Sequence, residues 1–171
     1  MWRIGIIGDT QGRYSVDALL EFVRQRFSKV DEIWFAGDWQ EERVLSGLLA
    51  LERPMRTVNG NAPDDPGYPE HVQAEIEGVR IGMVHRPPPR DARWIQSLDI
   101  VIHGHTHRWR DEVVGGVRLI NVSTPTAATV SGERSIGILS LSEGKADLLK
   151  IPVPHLGARA DQGPDGPLPR P

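Results

Sequence analysis

Three times within residues 1–61, a short apolar run ends at a glycine that lies beside a carboxylate or amide residue. The runs cover residues 3–7, 33–36 and 55–58 and end at Gly8-Asp9, Gly37-Asp38 and Asn59-Gly60-Asn61. Residues 16–27, with Ser15 as a candidate N-cap, and residues 41–51 carry apolar side chains at helical spacing between these runs. This alternation predicts β-α-β units with parallel strands, whose carboxyl ends meet at one edge of a sheet.

The second half of the chain predicts antiparallel strands. Three hairpins are indicated, each turning at a pair that contains glycine: residues 72–76 with 79–84, 112–114 with 117–122, and 136–141 with 145–151. A short helix over residues 92–98 and a strand over residues 99–102 are predicted between the first two hairpins. The predicted fold class is therefore α/β with mixed sheets.

Length and composition predict one folded domain followed by a tail. A chain of 171 residues is long enough for a single core but short for two domains. Residues 152–171 contain six prolines and three glycines and few residues that could form a core. We therefore expect the domain to span residues 1–151 and residues 152–171 to form an extended or disordered tail.

The residue counts exclude several classes of protein. The absence of cysteine excludes a disulfide framework, a thiolate metal site and a thiol nucleophile, so that any metal must be held by nitrogen and oxygen ligands. A net charge of -3 argues against general nucleic-acid binding and against a membrane surface as partner. No apolar run is long enough for a signal peptide or a membrane span, which makes a cytoplasmic location the default expectation.

Polar residues with metal-ligating side chains follow most of the predicted strands. The candidates are Asp9, Gln11, Asp38, Asn61, His85, His105 and His107. Such a mixture of carboxylates, amides and imidazoles suits divalent ions, but it is too large for one ion. A carboxylate shared by two ions about 3.5–4 Å apart is commonly used for displacement at phosphorus by a metal-generated hydroxide.

The order and spacing of these blocks resemble a known family. Asp9-Thr10-Gln11-Gly12, Gly37-Asp38, Gly60-Asn61, an apolar run into His85, and Gly104-His105-Thr106-His107 are similar to the five motif blocks of the calcineurin-like metallophosphoesterases. The likeness is greatest to their small single-domain phosphodiesterase branch, which includes the metallophosphoesterase-like subunit of the retromer sorting complex. It covers about residues 1–151 and implies a four-layer α/β/β/α sandwich.

The resemblance also implies a role for each candidate. Asp38 would bridge two divalent ions, Asp9 and His107 would complete the first site, and the second would use Asn61, His85 and His105. Mn²⁺ is the expected ion, with Fe²⁺, Zn²⁺, Mg²⁺ or Ni²⁺ as alternatives. The implied reaction is hydrolysis of a phosphodiester or an activated phosphomonoester by a metal-bound hydroxide, with Asp38, Asn61 and His105 as catalytic residues. The partner would be a small phosphate ester, nucleotide-derived compounds included, and an oligomer is compatible with the sequence.

Three departures from the family pattern bear on activity. Gln11 stands where the family has a histidine, and a neutral carbonyl is a weaker donor than imidazole for transition metals. Gln11 is thus a weak metal ligand, a hydrogen-bond donor that orients the ligands without binding the metal, or a sign that only one metal ion binds. Ala62 stands where many members have a histidine that acts as general acid, and Asn121-Val122-Ser123-Thr124 stands where Asn-Pro-Gly-Ser is usual. The rival hypothesis is a weakly active or inactive binding or scaffold protein.

Other residues receive lesser roles. His103 is predicted to be structural, and His71 and His155 are predicted to lie in exposed segments. Trp39, directly after Asp38, is the tryptophan most suited to touch a substrate. Residues 62–71, 86–93 and 123–133 are the loops expected to set substrate specificity.

Overall fold

Two five-stranded sheets form the frame of the protein in the computed structural model, which describes residues 1–61, 65–89, 92–126 and 132–157. The first sheet has the spatial order β10 (Lys145–Pro152), β9 (Ser135–Ser142), β1 (Trp2–Ile7), β2 (Glu32–Phe35) and β3 (Met55–Thr57). The second has the order β4 (His71–Ile76), β5 (Val79–Val84), β6 (Ile100–His103), β8 (Val117–Val122) and β7 (Trp109–Val114).

Both sheets are mixed, as the sequence predicts. Strands β1, β2 and β3 run parallel, as do β5, β6 and β8, and the other pairs are antiparallel. The observed strands lie within a residue or two of the predicted ones except β7, which begins at Trp109 rather than at residue 112.

Two helices cover the outer face of the first sheet. They are α1 (Val16–Arg26) and α2 (Glu42–Leu49). Their buried side chains, Leu19, Val23 and Leu48 among them, share one core with Ile7 and Phe35 of the sheet. The end of α1 approaches β1 so closely that a Cβ on Gly5 would lie 2.7 Å from the ring of Phe27.

A second core fills the space between the two sheets. Its fully buried members include Ile4, Ile6 and Trp34 of the first sheet and Ile81 and Ile102 of the second. Strand β1 is thus buried on both faces, which explains its continuous apolar run. The sandwich brings the carboxyl ends of β1 and β2 next to those of β5 and β6.

The outer face of the second sheet carries the fourth layer. A 3₁₀ helix, Arg93–Ser97, packs Ile95 and the neighbouring Leu98 against Val101 and Leu119. The α/β/β/α sandwich is confirmed, but the helix predicted over residues 92–98 is shorter and of 3₁₀ type. Its hydrogen bonds join residues three apart, from Ile95 N to Ala92 O and from Leu98 N to Ile95 O.

Residues beyond the predicted domain end at residue 151 pack against the domain. Strand β10 runs to Pro152, Val153 is buried in the core beneath the helices, and Ser15 N donates to Leu156 O at 3.2 Å. Residues 152–157 therefore pack on the domain, while residues 158–171 of the predicted tail lie outside the described residues. No helix in the described ranges has the length and apolar character needed to cross a membrane.

Replacing Ser15 by alanine is expected to lower the free energy of unfolding by about 1 kcal/mol. The Ser15 side chain accepts a hydrogen bond from Ala18 N at 3.2 Å and so satisfies one of the free N–H groups at the start of α1. Urea denaturation measures the change. The exposed Ser97→Ala is the control and should stay within about 0.5 kcal/mol of the unsubstituted protein; equal losses in both variants would rule out the capping role.

Candidate metal centre

Asp9 and Asp38 lie side by side because β1 and β2 are parallel and in register. Ile7 pairs with Phe35, and the pairing continues beyond the strands: Asp9 N donates to Gly37 O at 3.0 Å and Thr10 N donates to Asp38 O at 2.8 Å. The carboxylates of Asp9 and Asp38 are both buried. Two buried carboxylates at the edge of a sheet need compensating positive charge or hydrogen-bond donors.

The second sheet supplies imidazoles to the same place. His85 follows β5, and its Nε2 lies 3.3 Å from Asp38 Oδ2 and 2.9 Å from Asn61 Oδ1. The loop after β6 carries His107, whose Nε2 lies 3.4 Å from Asp9 Oδ1. The ring of His105 meets that of His85 edge-on, with 5.3 Å between centroids.

The structure therefore brings together all seven side chains that the sequence marks as candidates. Within them, ligand atoms of Asp9, Asp38 and His85 lie within 4.8 Å of one another. Gln11 joins the group through its amide nitrogen, which donates to Asp38 Oδ2 at 2.6 Å. The set offers carboxylate oxygen, amide oxygen and imidazole nitrogen, a mixture that fits borderline divalent ions such as Mn²⁺ or Zn²⁺.

Four of the candidate ligands have a left-handed backbone. The φ angles are 53° at Asp9, 59° at Asp38, 68° at His105 and 54° at His107. This conformation is costly for residues other than glycine and persists where the surrounding structure enforces it, most often at functional sites. The occurrence of this left-handed conformation at four residues of one cluster distinguishes the cluster from carboxylates that only cap a turn.

Two glycines allow the loops to meet. A Cβ on Gly60 would overlap the carboxylate and backbone nitrogen of Asp38. A Cβ on Gly104 would lie 2.5 Å from Asp9 Oδ2, the carboxylate that also accepts the His105 N–H at 3.0 and 3.1 Å. Glycine at both positions follows from this close approach of backbone to carboxylate.

The two carboxylates make the cluster electrostatically negative. Burial lowers the pKa of His85, but its contacts with Asp38 and Ala36 O and the charges of Asp9 and Asp38 outweigh burial and leave that pKa raised. The hydrogen bond to Asp9 raises the pKa of His107 against the effect of burial. Both imidazoles thus respond to a field that favours positive charge, which is the field a bound cation requires.

His103 stands behind the cluster rather than in it. It is buried, its Nδ1 lies 3.0 Å from Gly104 O, and its Nε2 lies 3.4 Å from Arg110. Burial, together with the nearby charge of Arg110, lowers the pKa of His103 to about 4 and keeps the ring neutral. These contacts agree with the structural role predicted for this histidine.

Two of the lesser predictions need correction. Trp39 is 1% exposed and packs against Phe35 and Tyr68 beneath the helices, so it has no surface for a substrate. It turns inward because the left-handed Asp38 redirects the chain. His71 is exposed, but it begins β4 rather than lying in a loop, and it stacks on the ring of Trp94 at 5.2 Å.

Sequence reasoning missed a group of hydroxyl side chains beneath the cluster. Ser123, Thr124 and Thr126 are buried and donate to backbone carbonyls of His107, Asp9 and Gln11. The sequence assigns residues 123–133 to substrate specificity, and the signals that could have found the hydroxyls are their position directly after an apolar strand and the block Asn121-Val122-Ser123-Thr124, which stands where the family pattern has Asn-Pro-Gly-Ser. Residues 127–131, like Ala62 and Arg90 of the other two predicted loops, lie outside the described residues.

Comparisons with known proteins converge on one family. The sequence model of the calcineurin-like phosphoesterase superfamily domain matches residues 2–144. A probable metallophosphoesterase of Methanocaldococcus jannaschii is 30% identical over 159 residues, which are 88% of this chain and 81% of that protein. The solved structure of an archaeal phosphodiesterase superposes with a TM-score of 0.68 at 21% identity and covers 87% of this chain and 99% of its own. Vps29 of Entamoeba histolytica, solved with Zn²⁺, gives 0.69 at 18% identity and covers 88% and 98%.

Proposed function

The chain belongs to the calcineurin-like phosphoesterase superfamily, and on that premise we propose that it hydrolyses a phosphodiester or an activated phosphomonoester in a metal-dependent reaction. The observation that carries the proposal is the buried group of Asp9, Asp38 and His85 at the edge where the two sheets meet. The substrate is a small phosphate ester, with nucleotide-derived compounds included.

Seven side chains are assigned to two ions. Asp9 and His107 would hold the first ion, with Gln11 as a weak ligand or as a hydrogen-bond donor to Asp38, whereas Asn61, His85 and His105 would hold the second ion and Asp38 would be shared by both. Divalent ions bound there, Mn²⁺ first among them, supply positive charge to the phosphoryl oxygens and lower the pKa of a bound water.

The hydrogen bonds of Asp38 support its place between two ions. Its Oδ1 accepts from Asn61 N at 2.6 Å, while its Oδ2 accepts from Gln11 Nε2 at 2.6 Å and lies near His85. The carboxylate thus contacts residues assigned to both ions, with Oδ2 lying between Gln11 and His85. Burial of the carboxylate keeps water from competing for either oxygen.

The exposed members of the cluster are placed to meet a substrate. Asn61 is exposed, and since its Oδ1 lies against His85 and its amide nitrogen has no partner among the described residues, that nitrogen can donate to a phosphoryl oxygen. His105 is also exposed, and either His105 or a bound water is assigned as the proton donor to the leaving group. With alanine rather than histidine at position 62, activity should favour esters with good leaving groups.

Hydrolysis of bis-p-nitrophenyl phosphate and metal content together test the proposal. Protein stripped with EDTA and titrated with Mn²⁺ is expected to bind two ions per chain and to release p-nitrophenolate, with no release before Mn²⁺ is added. Two bound ions without release of p-nitrophenolate from this diester or from p-nitrophenyl phosphate would refute the enzymatic function.

A second candidate function is a binding or scaffold protein that keeps the fold. Gln11 favours it, because this amide lies where the family pattern has a metal-binding histidine and donates a hydrogen bond to the bridging carboxylate. The same titration separates the two candidates: one ion or none, without turnover, supports the scaffold.

A further inference from the structure

The segment that follows β8 contacts three candidate ligands from below. Ser123 Oγ donates to His107 O at 3.0 Å, Thr124 Oγ1 to Asp9 O at 2.6 Å, and Thr126 Oγ1 to Gln11 O at 2.7 Å. All three donors are buried. These three carbonyls belong to residues assigned to the first ion, and Ser123 Oγ has a second acceptor in Glu133 O at 3.3 Å.

These hydrogen bonds join loops that come from different sheets. Asp9 follows β1 in the first sheet, whereas His107 follows β6 in the second, and no strand pairing in the described part of the chain connects these two sheets. Thr124 reaches across to the first sheet, and its neighbour Ser123 reaches the loop of its own sheet. The segment therefore links the loop that carries the Asp9 carboxylate to the loop that carries the His107 imidazole.

The backbone of the same residues requires support. Asp9, His107 and Ser123 all have positive φ, and a left-handed residue other than glycine persists where neighbouring contacts hold it. At Ser123, with φ 69°, glycine would relieve the backbone but would remove the hydroxyl. Asn121 adds to the support: its Oδ1 accepts from Ser123 N at 2.8 Å and its Nδ2 donates to Gly104 O at 2.9 Å.

We propose that Ser123, Thr124 and Thr126 form a hydroxyl clamp that positions the ligands of the first ion. The clamp residues touch neither ion nor substrate and act through the backbone of Asp9, Gln11 and His107. The inference rests on the proposed function in that it requires an ion at the first site. Residues that orient ligands in this way typically change metal affinity by about 10–100-fold when they are replaced.

The test compares two variants that each lose one buried hydroxyl. Thr124→Val keeps the shape of the side chain and removes the hydrogen bond to Asp9 O. Ser135→Ala is the matched control, because Ser135 Oγ is equally buried and donates at 2.7 Å to Val122 O, the carbonyl of a residue that is not a candidate ligand. Mn²⁺ affinity is measured by calorimetry, and Tm is measured in EDTA.

Both variants are expected to lower Tm without metal. Only Thr124→Val should lower the affinity for the first ion, by about tenfold or more. Thr124→Ser, which restores a hydroxyl, should recover most of the affinity. Ser123→Gly gives a contrast in sign: its Tm in EDTA should stay equal or rise, because the backbone strain is relieved, while the first ion binds more weakly.

Wild-type affinity for the first ion in both Thr124→Val and Ser123→Gly would overturn the clamp and leave the proposed function intact. If Thr124→Val does not fold, Ser123→Gly decides alone. Failure of the unsubstituted protein to bind any ion would overturn the proposed function and the clamp together.

Discussion

Asp38→Asn is expected to lower kcat for bis-p-nitrophenyl phosphate by roughly a thousandfold or more, the scale of loss seen when a group central to the reaction is removed. The substitution keeps the shape of the side chain but replaces a charged oxygen by an amide nitrogen. Asp38 Oδ1 accepts from Asn61 N and Oδ2 accepts from Gln11 Nε2, so either orientation of the new amide replaces an acceptor by a donor and removes one candidate ligand oxygen.

Asp147→Asn is the matched control for this loss. Asp147 is exposed on β10 and pairs through Ser140 with Arg3, at the start of β1 and hence at the end of the sheet opposite to the cluster. It makes the same chemical change without approaching a ligand, and its kcat should equal that of the unsubstituted protein. Circular dichroism shows whether Asp38→Asn is folded. A folded Asp38→Asn variant with an unchanged rate would rule out the assigned role of Asp38.

Much of the two-sheet fold was predictable because buried positions in strands and helices follow regular patterns of apolar residues. Strand β1 is apolar at successive positions since both of its faces are covered, and α1 shows its buried face at helical spacing after Ser15. The rule that parallel strands present their carboxyl ends at one edge then brings Asp9 and Asp38 together. These inferences use local pattern and general topology only.

The details of the cluster depend on contacts that local sequence does not encode. The left-handed backbone of His105 and His107 is held by partners far along the chain, such as Asp9, whose carboxylate accepts the His105 N–H from 96 residues away. Thr124 meets Asp9 O across 115 residues. Serine and threonine after a strand are common, and although the family pattern marks the block that contains Ser123 and Thr124, residue type does not show which carbonyl each hydroxyl reaches.

The same limit explains the incorrect prediction for Trp39. Position directly after Asp38 suggested exposure toward a substrate, but the positive φ of Asp38 turns the following residue under the helices. The 3₁₀ helix Arg93–Ser97 is a similar case, since five residues packed on the second sheet are too few for periodicity to separate a 3₁₀ from an α-helix.

Gln11→His is expected to tighten binding of the first Mn²⁺ or Zn²⁺ by about tenfold or more, because imidazole is a stronger donor than an amide oxygen for these ions. A second effect acts in the same direction. Gln11 Nε2 donates to Asp38 Oδ2 at 2.6 Å, and this hydrogen bond competes with an ion for the same oxygen. Calorimetry on the EDTA-stripped protein measures the affinity, and turnover at limiting Mn²⁺ should rise with it.

Two further variants separate these effects. Gln96→His places a new imidazole on the exposed 3₁₀ helix, away from the cluster, and should leave the affinity unchanged. Gln11→Ala removes both the amide oxygen and the hydrogen bond to Asp38. If Gln11 is a ligand, Gln11→Ala lowers the affinity for the first ion. If the Gln11 amide competes with the ion for Asp38, the affinity for the first ion stays equal or rises. Should Gln11→His bind the first ion no more tightly than the unsubstituted protein, position 11 does not face that ion, and the departure from the family pattern would not account for a weak first site.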